Sequence, residues 1–168
     1  MNNTEKRLAW CLEKAQKELA LGKKHRGLIK ITPDKQKALE HIKKAEHNLK
    51  AAIHFAKTEY SDWSASAFFY SIYQSLLAIA IKFGYDSRNQ ECTFALINSL
   101  IENKQIPLNK ELIEKVALLD STKDELTTMQ IREHYQYGTK LSIEENLEEE
   151  LLEITKEILS KAKVIIEQ

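Results

Sequence analysis

At 168 residues, with 25 Lys plus Arg against 25 Asp plus Glu, the chain is long enough for one domain with its own core and carries no net charge. That balance argues against a surface that is basic all over, as in a general nucleic-acid binder. Cys11 and Cys92 are too few for a disulfide framework and lack metal-ligand spacing, so a reducing cytoplasm is the expected compartment.

The N-terminus, MNNTEKRLAW, has no apolar signal core. Four glycines and two prolines leave few places to break a helix, and almost nothing alternates like a strand. The spacing predicts a first helix capped by Thr4, with Leu8, Leu12, Ala15 and Leu19 on one face and Gly22 at its end. Lys23 to Ile31 reads as a basic loop, in which Leu28-Ile29-Lys30-Ile31 is the one candidate for extended structure. Thr32 and Pro33 open a second helix, the hydroxyl as cap and the proline at the first helical position. Its apolar face is Ala38, Ile42, Ala45, Leu49, Ile53 and Ala56.

The run from Trp63 to Ile81 carries no charge and is apolar on almost every face, so it is predicted to be a helix enclosed by others. Ser61 caps it and Gly84 ends it. Four serines, a glutamine and two tyrosine hydroxyls argue against a membrane span, and no membrane association is expected. Ser64, Ala67, Ser71, Ser75 and Ala78 form a stripe of small side chains where another helix can come close. Residues 88–91 lead into a fourth helix marked by Phe94, Ile97, Leu100 and Ile101. After Pro107, Asn109 caps a short fifth helix with Leu112, Ile113, Val116 and Leu119. Ser121 with Asp124, and Thr122 with Glu125, have capping-box spacing and start another short helix toward Met129. Ser142 with Glu145 is a further capping box, opening a last helix with Leu147, Leu151, Ile154, Ile158, Ala162 and Ile165 inward. The expected fold is an all-α, up-and-down helical bundle, its central helix packed among the second, fourth and last. Residues 1–31 form an N-terminal helix and basic loop, and residues 32–168 the bundle.

Charge is uneven along the chain. His25 to Lys50 is basic, and the stretch from Glu144 to Glu157 is acidic. Each reads as a solvated helix face, or together as a bipolar surface for self-association or for an acidic ligand. The five histidines offer no metal pattern, since His47 and His54 lie seven apart and no Glu-x-x-His occurs, so no metal or other cofactor is expected. No Gly-x-Ser-x-Gly and no phosphate-binding glycine loop is present.

The most informative polar cluster is REHYQYG, Arg132 to Gly138. Arg132 is one of four arginines and suits bidentate capture of phosphate. His134 is an acid–base side chain, and Tyr135 and Tyr137 can stack on bases. The alternative is that Arg132 pairs with an acid inside the bundle while the tyrosines cap the core. Arg88 and Asn89, at the entrance of the fourth helix, form a second candidate for holding a phosphate, with Tyr85 beside them. The bland alternative there is a cap and a turn.

In this order and spacing the chain resembles the HEPN domain family of prokaryotic nucleotide- and RNA-associated helical proteins. Three features carry the resemblance, which runs from about Asp34 to Ile165. They are KAEHNLKAAIHFAKTEY (Lys44 to Tyr60), the aromatic-rich SAFFYSIYQSLLAIAIKFG (Ser66 to Gly84) and the late Arg132…Tyr137-Gly138, similar to the Arg-x-x-Ala-Asp-Tyr of small members. The resemblance implies a homodimer that binds nucleotide or RNA, and a minimal nucleotidyltransferase as partner in a toxin–antitoxin type of system. Its ribonuclease branch uses an arginine and a histidine with four to six residues between them. Here Arg132 has Tyr137 and Thr139 at those ends of the range, and His134 stands only two residues on. Arg88 has Thr93 and Ala95. The leading expectation is therefore a binding protein using Arg132, His134, Tyr135, Tyr137, Arg88 and Asn89. The rivals are a metal-independent ribonuclease using Arg132 and His134, and a purely structural interaction module.

Overall fold

The computed structural model describes residues 1–117 and 126–168. Among these residues the order is α1 (Asn3–Ala20), β1 (Leu28–Lys30), α2 (Lys35–Ala56), α3 (Trp63–Lys82), β2 (Tyr85–Ser87), α4 (Gln90–Glu102), α5 (Lys110–Val116), α6 (Thr128–Tyr137) and α7 (Glu145–Glu167). It is an all-α bundle with one small sheet. The capping pairs at Ser121 and Thr122, and the apolar position Leu119, lie outside the described residues.

The central helix is α3, and α2, α4, α6 and α7 all pack on it. Its small stripe does what its size allows. Ser64, Ser71, Ser75 and Ala78 are fully buried, as are Ala38, Ala45 and Ala52 of α2. With no bulk between the two helices, the Ser71 hydroxyl donates to the Ala45 carbonyl at 2.7 Å. Further polar groups of α3 are satisfied as well: Ser64 on Ser61 O at 2.6 Å, Ser75 on Ser71 O at 3.0 Å, Gln74 Oε1 against His41 Nδ1 at 2.7 Å. This is why a helix long and apolar enough to cross a membrane can sit inside a bundle, 67% of its most apolar 18-residue window buried. Phe68, Phe69, Ile72, Leu76 and Ile79 are fully buried, each contributing about 1.5–3 kcal/mol.

The enclosure is not complete. Trp63 is 55% and Tyr70 36% exposed, so one stripe of α3 faces outward. The core divides accordingly. A large cluster runs through α1 to α5 and α7, and a smaller one of Ala52, Ala65, Phe68, Ile131, Tyr135 and Leu151 seats α6 at the other end.

Several helix starts differ from the sequence expectation. Asn2, not Thr4, caps α1, accepting from Glu5 N at 2.8 Å while Glu5 reaches back to Asn2 N. Thr4 instead donates to Glu102 at 2.9 Å. Asp34 caps α2, one residue beyond Pro33, because its carboxylate reaches Lys37 N at 2.9 Å. The Ser61 hydroxyl does not cap α3; it accepts from Ile143 N at 3.1 Å and ties down the approach to α7. No capping box forms at Ser142: α7 begins at Glu145, with Glu145 and Glu148 supplying the negative charge its first turn favours.

The extended segment at Leu28 finds a partner that the sequence did not announce. β1 pairs antiparallel with β2, Ile29 opposite Asp86. Gly84, at φ +82°, makes the turn from α3 into β2 possible. On the other side of β1, α1 lies so close that a Cβ on Gly27 would collide with the Cys11 carbonyl oxygen. The two cysteines, too few for a framework, form one cross-link: Cys11 of α1 and Cys92 of α4 are joined by a fully buried disulfide.

Candidate functional site

The site starts with the way α6 is set. Thr127 and Gln130 form a reciprocal capping box, the Thr127 Oγ1 accepting from Gln130 N at 3.2 Å and Gln130 Oε1 from Thr127 N at 2.9 Å. At the other end Gly138 N donates to His134 O, and a Cβ on Gly138 would strike that carbonyl. Between these ends Thr128, Ile131, Arg132 and Tyr135 recur at helical spacing and are buried against the bundle. Arg132 is therefore on the inward face. His134 and Tyr137 are exposed, on the outward side. Two residues along a helix is about 200° of rotation, so Arg132 and His134 point in opposite directions.

Arg132 lies on two aromatic rings of α3. Its guanidinium carbon is 4.8 Å from the Phe69 ring centre and 5.7 Å from that of Tyr70. One terminal nitrogen donates to the Tyr70 hydroxyl at 3.2 Å and to Gln136 Oε1 at 3.1 Å. The other reaches Glu133, an exposed side chain, only at 3.5 Å. Nε is buried and has no hydrogen-bond partner among the described residues. The side chain is 9% exposed, so a cation is held nearly out of water, its carboxylate contact being the 3.5 Å one to the half-exposed Glu133. Charge buried in this way is costly unless something pairs with it. The sequence alternative of an acid partner inside the bundle is thus not what Arg132 finds.

Gln136 joins this arginine to a cleft of about 120 Å³ between the start of α3, the end of α6 and the segment after it. Asp62, Trp63, Ser66, Tyr135, Gln136 and Lys140 line it. Tyr135 shows 5% of its surface, so its ring is a wall of the cleft rather than a free platform. Tyr137, 77% exposed, stands outside it. The space suits a single flat ring more than a whole drug-sized ligand. Trp63, Phe69, Tyr70, Gln136 and Lys140 were not among the sequence candidates. Trp63, Ser66 and Tyr70 do recur at spacings of three and four, a signal lost in a helix that looked apolar all round.

The second candidate is built differently. Arg88 follows β2, and its Nε donates to Asp86 Oδ2 at 3.2 Å. The same oxygen is 3.1 Å from Nε2 of buried His25. The side chain of Asn89 caps α4, accepting from Cys92 N at 3.0 Å, which takes up one of the backbone groups an anion would use. Asn89 also borders a hollow of about 570 Å³ shared with Arg7 and Phe94. Arg7 there pairs with Glu91 at 2.9 Å. The two candidates do not meet. Arg132 rests on Phe69 and Tyr70, whereas Arg88 follows the end of α3, about 20 Å further along the axis. No group of three His, Cys, Asp or Glu side chains is placed to hold a metal ion among the described residues.

A family model described as HEPN domain matches residues 38–165, well over half of the chain. The matched span runs from the first turn of α2 almost to the end of α7 and leaves α1 and β1 outside. Comparison with curated proteins gives no match.

Proposed function

The chain belongs to the HEPN domain family, whose members have nucleotide- or RNA-related functions in general, and from that premise we propose that it binds a nucleotide or RNA at Arg132 and the adjoining cleft. The observation that carries the reading is Arg132 itself, a buried cation on two rings with its Nε unpartnered. A phosphate or other anion entering beside Tyr70 and Gln136 supplies the charge that the bundle omits. Trp63 and Tyr135 give the cleft the flat apolar walls that a base needs. The molecule acts as a homodimer, the outward stripe of Trp63 and Tyr70 supporting contact with a second copy, and the buried Cys11–Cys92 disulfide speaks against the reducing cytoplasm the sequence suggested. Its partner is a minimal nucleotidyltransferase in a toxin–antitoxin type of system. Binding rather than cleavage is favoured because Arg132 and His134 face opposite ways on α6 and no histidine follows Arg132 with four to six residues between them.

The test is retention of labelled RNA and of mononucleotides by the protein and by Arg132→Gln, without added metal. Arg132→Gln is expected to weaken binding about 100-fold, in line with loss of charge-assisted hydrogen bonds of about 1.5–3 kcal/mol. Unchanged binding in that variant overturns the site. Metal-independent cleavage that disappears in His134→Ala makes the protein a ribonuclease instead.

A further inference from the structure

The outer face of α2 carries Lys43, His47, Lys50, His54 and Lys57. Their spacing of four, three, four and three residues puts them on one stripe, about 21 Å long. All five are exposed. The opposite face of α2, with Ala38, Ile42, Ala45 and Ala52, is buried. The stripe is therefore fixed outward by packing, not by chance of rotamer.

Its charge is also left uncompensated. Helix α2 contains two acids, Glu40 and Glu46. Glu40 pairs with Lys37 at 3.0 Å, and Glu46 pairs with Lys163 of α7. Lys35, at the start of the helix, pairs with Glu167 at 3.0 Å. Lys43, His47, Lys50, His54 and Lys57 take no ion pair among the described residues. In a chain with zero net charge this is a local excess: Glu40 and Glu46 are occupied elsewhere, and the exposed Glu59 stands two residues beyond Lys57, at the end of the stripe.

The stripe also leads somewhere. Beyond Lys57 the chain presents Tyr60, 56% exposed, and Trp63, 55% exposed, and Trp63 walls the cleft beside Gln136 and Arg132. A line of cations that ends in exposed rings matches the way single strands are held, phosphates on the charges and bases on the aromatic faces. We propose that the α2 stripe is a track for the phosphate backbone of single-stranded RNA whose terminal base or phosphate sits at Arg132. This rests on the RNA reading of the Arg132 site and extends it. The histidines serve as ring N–H donors between the lysines.

The test compares the full-length protein, Lys43→Glu/Lys50→Glu/Lys57→Glu and Arg132→Gln, with a labelled 20-nucleotide polyuridine and with uridine monophosphate. A control carries the same charge change at Lys6, Lys23 and Lys24, all exposed on α1 and the turn after it. Loss of three phosphate contacts lowers the salt slope for single strands by about 2, or about 100-fold in affinity at 0.1 M salt. The expected result is that loss for polyuridine in the α2 triple variant alone, with uridine monophosphate bound as before, while Arg132→Gln weakens both. Thermal melting of each variant checks that it is folded. Polyuridine binding equal in the α2 triple variant and the parent overturns the track and leaves the Arg132 reading standing. An equal loss in the control also overturns the track, as it reports net charge only. A change of oligomeric state with RNA retention intact assigns the stripe to a second copy and overturns it too. If the parent binds neither probe, both readings fall.

Discussion

Arg132 as the first candidate and Arg88 as the second both stood out in the sequence, yet the fold treats them in opposite ways. The Arg88 corner is knitted shut. Its guanidinium lies on Asp86, Asp86 also takes buried His25, and Arg88 N donates to Gly27 O at 3.0 Å. Asn89 caps α4, and Cys92 in the first turn of that helix is cross-linked to α1. Around Arg132 the reverse holds: a side chain 9% exposed, rings beneath it, an unpartnered Nε and an exposed glutamate at 3.5 Å. An arginine half in water with its own carboxylate is part of the structure. One withdrawn from water with only a long contact to an exposed carboxylate, and with its Nε unpartnered, is held for something else.

The comparison breaks first where the effects are largest. Removing the cross-link by Cys11→Ser/Cys92→Ser is expected to cost about 4 kcal/mol by the chain-entropy argument for an 81-residue separation. Urea denaturation measures it, and binding at Arg132 should persist wherever the variant is folded. An unchanged midpoint would mean that the α1–α4 corner is not stapled.

The next effect sharpens the contrast from the other side. Replacing Arg132 with Met should abolish binding while leaving the melting temperature level or raised, since well-packed apolar groups often replace buried charge without loss. A fall of several degrees would place Arg132 among the structural residues. Arg88→Ala, by contrast, should change binding less than twofold and stability by no more than about 1 kcal/mol, as for exposed pairs.

The smallest effect is alkaline. Burial pushes the Tyr73 hydroxyl above its ordinary pKa, more than its hydrogen bond to Thr93 lowers it. The neutral form is favoured in the fold, so this contribution is whole below about pH 10 and is lost as pH rises beyond it. Tyr73→Phe should show a shallower loss of stability above pH 10, read from melting curves. An identical slope would leave Tyr73 out of the alkaline transition.

How far the sequence carried these conclusions depends on the range of the signal. Helical periodicity is local, so the bundle, the central place of α3 and a small-residue stripe including Ser71 for close helix approach were legible, whereas its partner Ala45 on α2 was not. The caps were less so, because Thr4 and Asn2 are both competent and only the reach to Glu5 N decides between them. β2 could not be read at all: Tyr-Asp-Ser has no pattern of its own and is extended because β1 lies beside it. Cys11 and Cys92 have no spacing to read across 81 residues. At the site, Arg132 and Tyr135 were found by residue type within REHYQYG, but the helix that puts both on one buried face was not. Trp63 and Gln136 were not, because their role comes from the α3–α6 contact and not from any motif.

The most direct measurement is the arginine Nε–H region of a nitrogen–proton NMR spectrum during titration with polyuridine. There are four arginines, and Arg132→Gln and Arg88→Ala assign the two that matter. The account predicts that the Arg132 signal moves on ligand addition as its Nε gains a partner, while the Arg88 signal stays in place. Movement of Arg88 with Arg132 unmoved would contradict it and make the corner on Asp86, not the cation on Phe69 and Tyr70, the working site.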